Sequence, residues 1–88
     1  MITNNERDII LRCAKKYHVS SVLLFGSSTE RKTVNDIDLG VKGIRPELFF
    51  KLYADLIRHL PKPVDLVDLS KKTLFNKLVE EEGIKIYG

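Results

Sequence analysis

Apolar residues recur along the first part of the chain at a helical spacing and then merge into one continuous apolar run. The helical spacing predicts a helix over 5–17. Thr3 followed by Glu6 is a capping box that would begin it. The apolar run predicts a short buried strand over 21–25, which Gly26 ends at once. The apolar helical positions are Ile9, Ile10, Cys13, Ala14 and Tyr17.

The middle of the chain changes from a period of two to a helical period. Over 36–42 apolar and polar residues alternate, so one face of the predicted strand belongs to the core and the other carries Asp36 and Asp38. Over 46–60 a wide apolar stripe predicts a helix, with Pro46 suited to its first turn.

The last third predicts one more strand, a helix and a short edge strand. Residues 63–69 have the composition of a strand, and Ser70 is a suitable N-cap for a helix that runs to Glu82. Gly83 would close that helix, and 84–87 would add the edge strand. This order predicts an α/β (α+β) fold with a small mixed sheet and helices on one face.

Composition limits the kind of protein that this is. Its 88 residues suit a single domain over 1–88, with 43% hydrophobic and 31% charged residues. The longest apolar run cannot span a bilayer and the N-terminus does not resemble a signal peptide, so we expect a cytoplasmic protein without membrane contact. A net charge of +3 suits an anionic ligand but is too small to favour duplex nucleic acid. The single Cys13 and the separated His18 and His59 favour neither a disulfide nor a zinc site.

Asp36 and Asp38 are the first candidate site. On a strand, Asp-x-Asp places both carboxylates on one face, about 6.6–7 Å apart along the backbone, where both can reach one hard cation. Adjacent carboxylates repel one another, which favours a divalent metal or an arginine between them. The ordinary alternative is the solvent side of an edge strand.

The turn after the first strand is the second candidate. Gly26 allows a sharp turn that exposes successive N–H groups to an anion, and Ser27 adds a hydroxyl. A short helix beginning there would direct the positive end of its dipole at a phosphate. By itself, Gly-Ser is also an ordinary strand-to-turn sequence.

Together these residues resemble the nucleotidyltransferase superfamily of DNA polymerase beta, and within it the minimal nucleotidyltransferases found beside HEPN-domain proteins in prokaryotes. The resemblance covers essentially the whole chain. It is carried by Val22-Leu23-Leu24-Phe25-Gly26-Ser27, Asp36-Ile37-Asp38-Leu39, Asp65 in Pro63-Val64-Asp65-Leu66-Val67, and the ending Glu82-Gly83-Ile84-Lys85-Ile86-Tyr87.

The resemblance implies transfer of a nucleoside monophosphate, AMP from ATP, to an acceptor hydroxyl on a partner protein. Asp36, Asp38 and Asp65 would be catalytic and would bind two Mg²⁺ ions, or Mn²⁺, with Asp65 also the candidate base. The implied nucleotide-binding residues are Gly26, Ser27, Ser28, Arg31 and Lys32. A HEPN-domain protein is the implied partner, and a homo-oligomer is also compatible.

The chain departs from the family pattern in its phosphate loop. Eight residues separate Ser27 from Asp36, about two fewer than is usual, and Ser28-Thr29-Glu30-Arg31 replaces the usual small residues. Arg31 or Lys32 would have to supply the cationic contact.

Two choices stay open in the sequence. Asp68 competes with Asp65 for the third acidic position; strand alternation turns them to opposite faces, and we choose Asp65 because it occupies the family position. The rival function is an antitoxin-like module that neutralises a HEPN ribonuclease without needing catalysis. An RNA-binding domain is less favoured, since Phe25 is the only aromatic residue on the three main strands.

Overall fold

The computed structural model describes residues 2–26 and 35–88. No helix in these two stretches is long and apolar enough to cross a bilayer. In chain order their elements are α1 (Asn4–Lys16), β1 (Ser21–Leu24), β2 (Ile37–Lys42), a 3-10 turn (Pro46–Leu48), α2 (Phe49–His59), β3 (Val64–Asp68), α3 (Leu74–Glu82) and β4 (Ile84–Tyr87).

The predicted capping box begins α1. The Glu6 N–H donates to Thr3 Oγ1 at 3.1 Å, and the Thr3 N–H donates to Glu6 Oε1 at 2.8 Å. Glu6 also forms an ion pair with Lys62 Nζ at 3.2 Å. Burial raises the pKa of Glu6, but the bonds from Thr3 and Lys62 outweigh it and the net pKa is lowered. The first helix is therefore tied to the loop that leads into β3.

The four strands form one mixed sheet in the order β3-β2-β1-β4. β1 pairs antiparallel with both β2 and β4, whereas β2 and β3 run parallel. The parallel pair requires a crossover, and α2 supplies it. The predicted fold class is confirmed, and β4 lies at the edge as expected.

The main core lies between one face of the sheet and the pair α1 and α2. Alternate residues of the strands supply one side of it, and the apolar stripes of the two helices supply the other. Its buried members are Ile10, Cys13, Ala14, Val19, Val22, Leu24, Ile37, Leu39, Val41, Ile44, Leu52, Leu56, Leu60, Val64, Leu66 and Ile86.

The third helix differs from the predicted arrangement, because α3 packs on the opposite face of the sheet. Leu23, Leu69 and Val79 form a separate buried cluster there. A Cβ on Gly40 would lie 2.6 Å from Leu69 Cδ1, so the absence of a side chain at Gly40 makes room for Leu69. Helices therefore cover both faces rather than one.

The start of α3 also corrects a prediction. Its N-cap is Thr73, whose Oγ1 accepts the Asn76 N–H at 3.1 Å, and not Ser70. The Asn76 side-chain amide donates to the carbonyls of Asp68 and Lys71 at 3.1 and 2.7 Å. These bonds hold the residues after β3 in a turn, so α3 begins three residues later than a Ser70 cap would place it.

Candidate active site

Asp38 and Asp65 lie side by side on the sheet. They are direct partners in the parallel register of β2 and β3, and neighbouring strands are about 4.8 Å apart. The residues that flank Asp38, Ile37 and Leu39, are buried in the main core. Alternation therefore directs Asp38 and Asp65 to the opposite face of the sheet. Asp36 is exposed, immediately before β2 begins.

The electrostatics of Asp38 connect all three aspartates. Burial raises its pKa most, and the negative charges of Asp65 and Asp36 raise it further. Ionised Asp38 is thus disfavoured by its surroundings, and positive charge placed among these carboxylates would be stabilised. Oxygen ligands of this kind suit a hard divalent cation.

The Gly26 turn lies against the Asp38 carboxylate. The Phe25 N–H donates to the Asp38 carbonyl at 3.1 Å, which continues the strand pairing up to the turn. Gly26 has φ +59°, and a Cβ there would lie 2.7 Å from Asp38 Oδ2. Glycine is therefore required both for the left-handed backbone and for the close approach.

Several predicted site residues cannot be placed. Ser27, Ser28, Arg31 and Lys32 lie outside the described residues. Within 2–26 and 35–88, no three His, Cys, Asp or Glu side chains are grouped as a ready-made metal site. The metal and phosphate assignments therefore stay predictions.

Asp68, the competitor of Asp65 for the third acidic position, belongs to the turn after β3. Its Oδ1 accepts the Ser70 N–H at 2.9 Å, which stabilises the bend after β3. The side chain that competed with Asp65 is thus engaged in local structure.

Sequence reasoning missed a groove between the Gly26 turn and α3. Among the apolar residues of α3, Val79 alone is buried. Leu74, Phe75 and Leu78 are exposed by 76%, 52% and 45%. The four apolar positions share one helix face, so the sequence held no signal that the sheet would cover only part of it.

The family assignment follows from sequence comparison. Residues 7–88 match the family described as Polymerase beta, Nucleotidyltransferase. The matched range includes all four strands and most of α1, so this chain belongs to that nucleotidyltransferase family. No curated protein matches the chain.

Solved structures of toxin–antitoxin systems have the same fold. A chain from a toxin–antitoxin crystal structure with AMP-PNP is 28% identical, with a TM-score of 0.75 over 93% of this chain and 73% of that one. A chain from the toxin–antitoxin MntA–HepT has 24% identity and a TM-score of 0.74, covering 98% and 73%. A mutant of that pair, with two aspartates replaced by glutamates, gives 24% and 0.76, covering 93% and 72%. The resemblance to minimal nucleotidyltransferases is confirmed.

Proposed function

We propose that the protein transfers AMP from ATP to an acceptor hydroxyl on a partner protein. The observation that carries the proposal is the approach of the Gly26 turn to Asp38, with Asp65 beside it in register. A phosphate-binding turn next to paired carboxylates is what a nucleotidyl transfer needs. Family membership and the AMP-PNP of one structural neighbour support it.

Asp36, Asp38 and Asp65 are the residues that would hold Mg²⁺, with Mn²⁺ as a substitute. Bound there, two ions would neutralise the triphosphate and lower the pKa of the acceptor hydroxyl. The fit rests on the donor set, since three carboxylates concentrate negative charge on one side of the sheet.

The chain's own groups would position the reactants. Gly26 lets its turn approach the triphosphate without a side chain in the way. Asp65 would accept the proton of the attacking hydroxyl. The new bond joins that oxygen to the α-phosphorus, the bond from the α-phosphorus to the bridging oxygen breaks, and pyrophosphate leaves.

A second candidate function is partner neutralisation without transfer. It is favoured by the toxin–antitoxin systems to which the structural neighbours belong, and by Phe50 and Ile57, which leave apolar surface exposed on α2. A HEPN-domain protein in the cytoplasm is the partner that we propose, and a homo-oligomer is compatible with the same surface.

Three aspartate-to-asparagine variants test the transfer. The protein is incubated with Mg²⁺, α-labelled ATP and the product of the neighbouring gene. Asp38→Asn should weaken both Mg-ATP binding and transfer, because a neutral amide is a poorer ligand. Asp65→Asn should lose transfer but keep most nucleotide binding.

Asp68→Asn is the matched control, since its carboxylate belongs to the turn after β3. It should transfer label like the wild type. Loss of transfer in Asp68→Asn but not in Asp65→Asn would show that the third acidic residue is assigned wrongly. Co-purification of the partner with no label transfer by the wild type would favour the neutralising module.

A further inference from the structure

A groove lies beside the Gly26 turn, between that turn and α3. It encloses about 300 Å³ and opens to solvent. Gly26 forms part of its wall, so the groove is continuous with the proposed phosphate position. Its lining residues are Phe25, Gly26, Phe75, Leu78, Val79 and Glu82.

The groove wall is apolar and aromatic although it faces water. Phe75 and Leu78 remain about half exposed. Phe25 packs edge-to-face on Phe75, with ring centroids 5.7 Å apart and an interplanar angle of 85°. Flat heteroaromatic rings bind such aromatic walls by stacking. The composition thus suits a nucleobase better than a charged group.

Glu82 adds one polar group to this wall. Its side chain is exposed and forms no salt bridge with another described residue. A carboxylate only accepts hydrogen bonds, so it pairs with an amino group and repels a carbonyl oxygen. A base with an exocyclic amine satisfies that preference, and a base with a carbonyl in the same place does not.

We propose that this groove binds the nucleobase of the nucleotide, and that it selects a base with an exocyclic amine. The inference rests on the proposed function, because Gly26 would hold the phosphates while Phe25, Phe75 and Leu78 contact the base. Glu82 would accept a hydrogen bond from the amine. Because it accepts from an amine, the groove favours adenine over hypoxanthine.

Calorimetry with two ligands separates base binding from phosphate binding. One ligand is the non-transferable analogue α,β-methylene-ATP with Mg²⁺, and the other is inorganic tripolyphosphate with Mg²⁺. Phe75→Ala should weaken the affinity for the nucleotide roughly 5- to 150-fold, the range that stacking on one aromatic ring accounts for. Its tripolyphosphate affinity should equal that of the wild type.

Glu82→Gln tests selectivity, because an amide can donate to a carbonyl as well as accept from an amine. The preference for the adenine nucleotide over its inosine counterpart should fall toward one. Leu74→Ala is the matched control on the same helix, outside the groove wall, and should bind both ligands normally. Melting temperatures verify that each variant is folded, and Leu78→Ala replaces Phe75→Ala if that variant unfolds.

The outcomes distinguish the two proposals. Wild-type affinity for the nucleotide in Phe75→Ala and Leu78→Ala, with tripolyphosphate still bound, overturns the base groove and leaves the proposed transfer standing. If the wild type binds neither ligand, the groove and the proposed function both fail.

Discussion

Replacement of Gly26 by alanine tests the approach of the turn to Asp38. Two costs arise from one methyl group. The backbone at Gly26 has φ +59°, a conformation that costs an L-residue about 1–2 kcal/mol. The new Cβ would also lie 2.7 Å from Asp38 Oδ2, which is too close, so the carboxylate or the turn must move.

The two costs should appear in different measurements. The strain should lower the melting temperature by roughly 4–8 °C for each kcal/mol, as is usual for a domain of this size. Displacement of Asp38 or the turn should slow nucleotide transfer by up to about a hundredfold, since a misplacement near 1 Å can cost that much.

Gly43→Ala is the matched control. Gly43 has φ +74° and lies against Ser20. An alanine there would have comparable backbone strain, but at a position away from the aspartates. Both variants should have a lower melting temperature than the wild type, but only Gly26→Ala should lose transfer and Mg-ATP affinity. If Gly26→Ala transfers AMP at the wild-type rate, the contact between the turn and Asp38 does not serve the site.

Two further predictions concern stability. Leu52 is 2% exposed in the main core, so Leu52→Ala should cost about 2–5 kcal/mol in urea unfolding, whereas Ile57→Ala, 57% exposed on the same helix, should cost less than about 1 kcal/mol; equal losses would contradict the packing of α2. Hydrogen bonds from Lys16 and then Tyr17 lower the pKa of Asp55 from 3.8 to about 2. Because the folded pKa lies below the unfolded value, this stabilisation is present above about pH 4 and is lost as pH falls through about 2. The difference in melting temperature between the wild type and Asp55→Asn should therefore shrink between pH 4 and pH 2, and a constant difference would contradict the assignment.

Elements with strong local signals could be predicted from the sequence. Thr3 and Glu6 specify the start of α1 by themselves, and the alternation around Asp38 specifies which residues of β2 enter the core. The start of α3 could not be predicted, because Ser70 and Thr73 are both good caps. Long-range bonds of Asn76 decide between them.

The side of the sheet that α3 covers also depends on tertiary contacts. A hydrophobic stripe shows that a helix has an apolar face, but not which surface it meets or how much of it is covered. Leu69 fills the space over Gly40 and packs with Val79 on the second face of the sheet. Phe75 and Leu78 are left at the groove as a result.

For the site, the sequence predicted the aspartates and the glycine, but not their contacts. Alternation and the family resemblance identify Asp38 and Asp65 as candidates. The approach of Gly26 to Asp38 depends on the antiparallel alignment of β1 and β2, which no local sequence signal specifies.

The parallel pairing of β2 and β3 makes the carboxylate pair a product of cooperative assembly. No tight turn can bring Asp38 beside Asp65, because the chain between them must first form α2 and dock it on the sheet. A β1–β2 hairpin, or any fragment that contains only one of β2 and β3, has only one of the two carboxylates. In a chain that has collapsed without docking α2, the two carboxylates would not be adjacent and would not bind a divalent cation together. Cation affinity would therefore appear together with native tertiary structure.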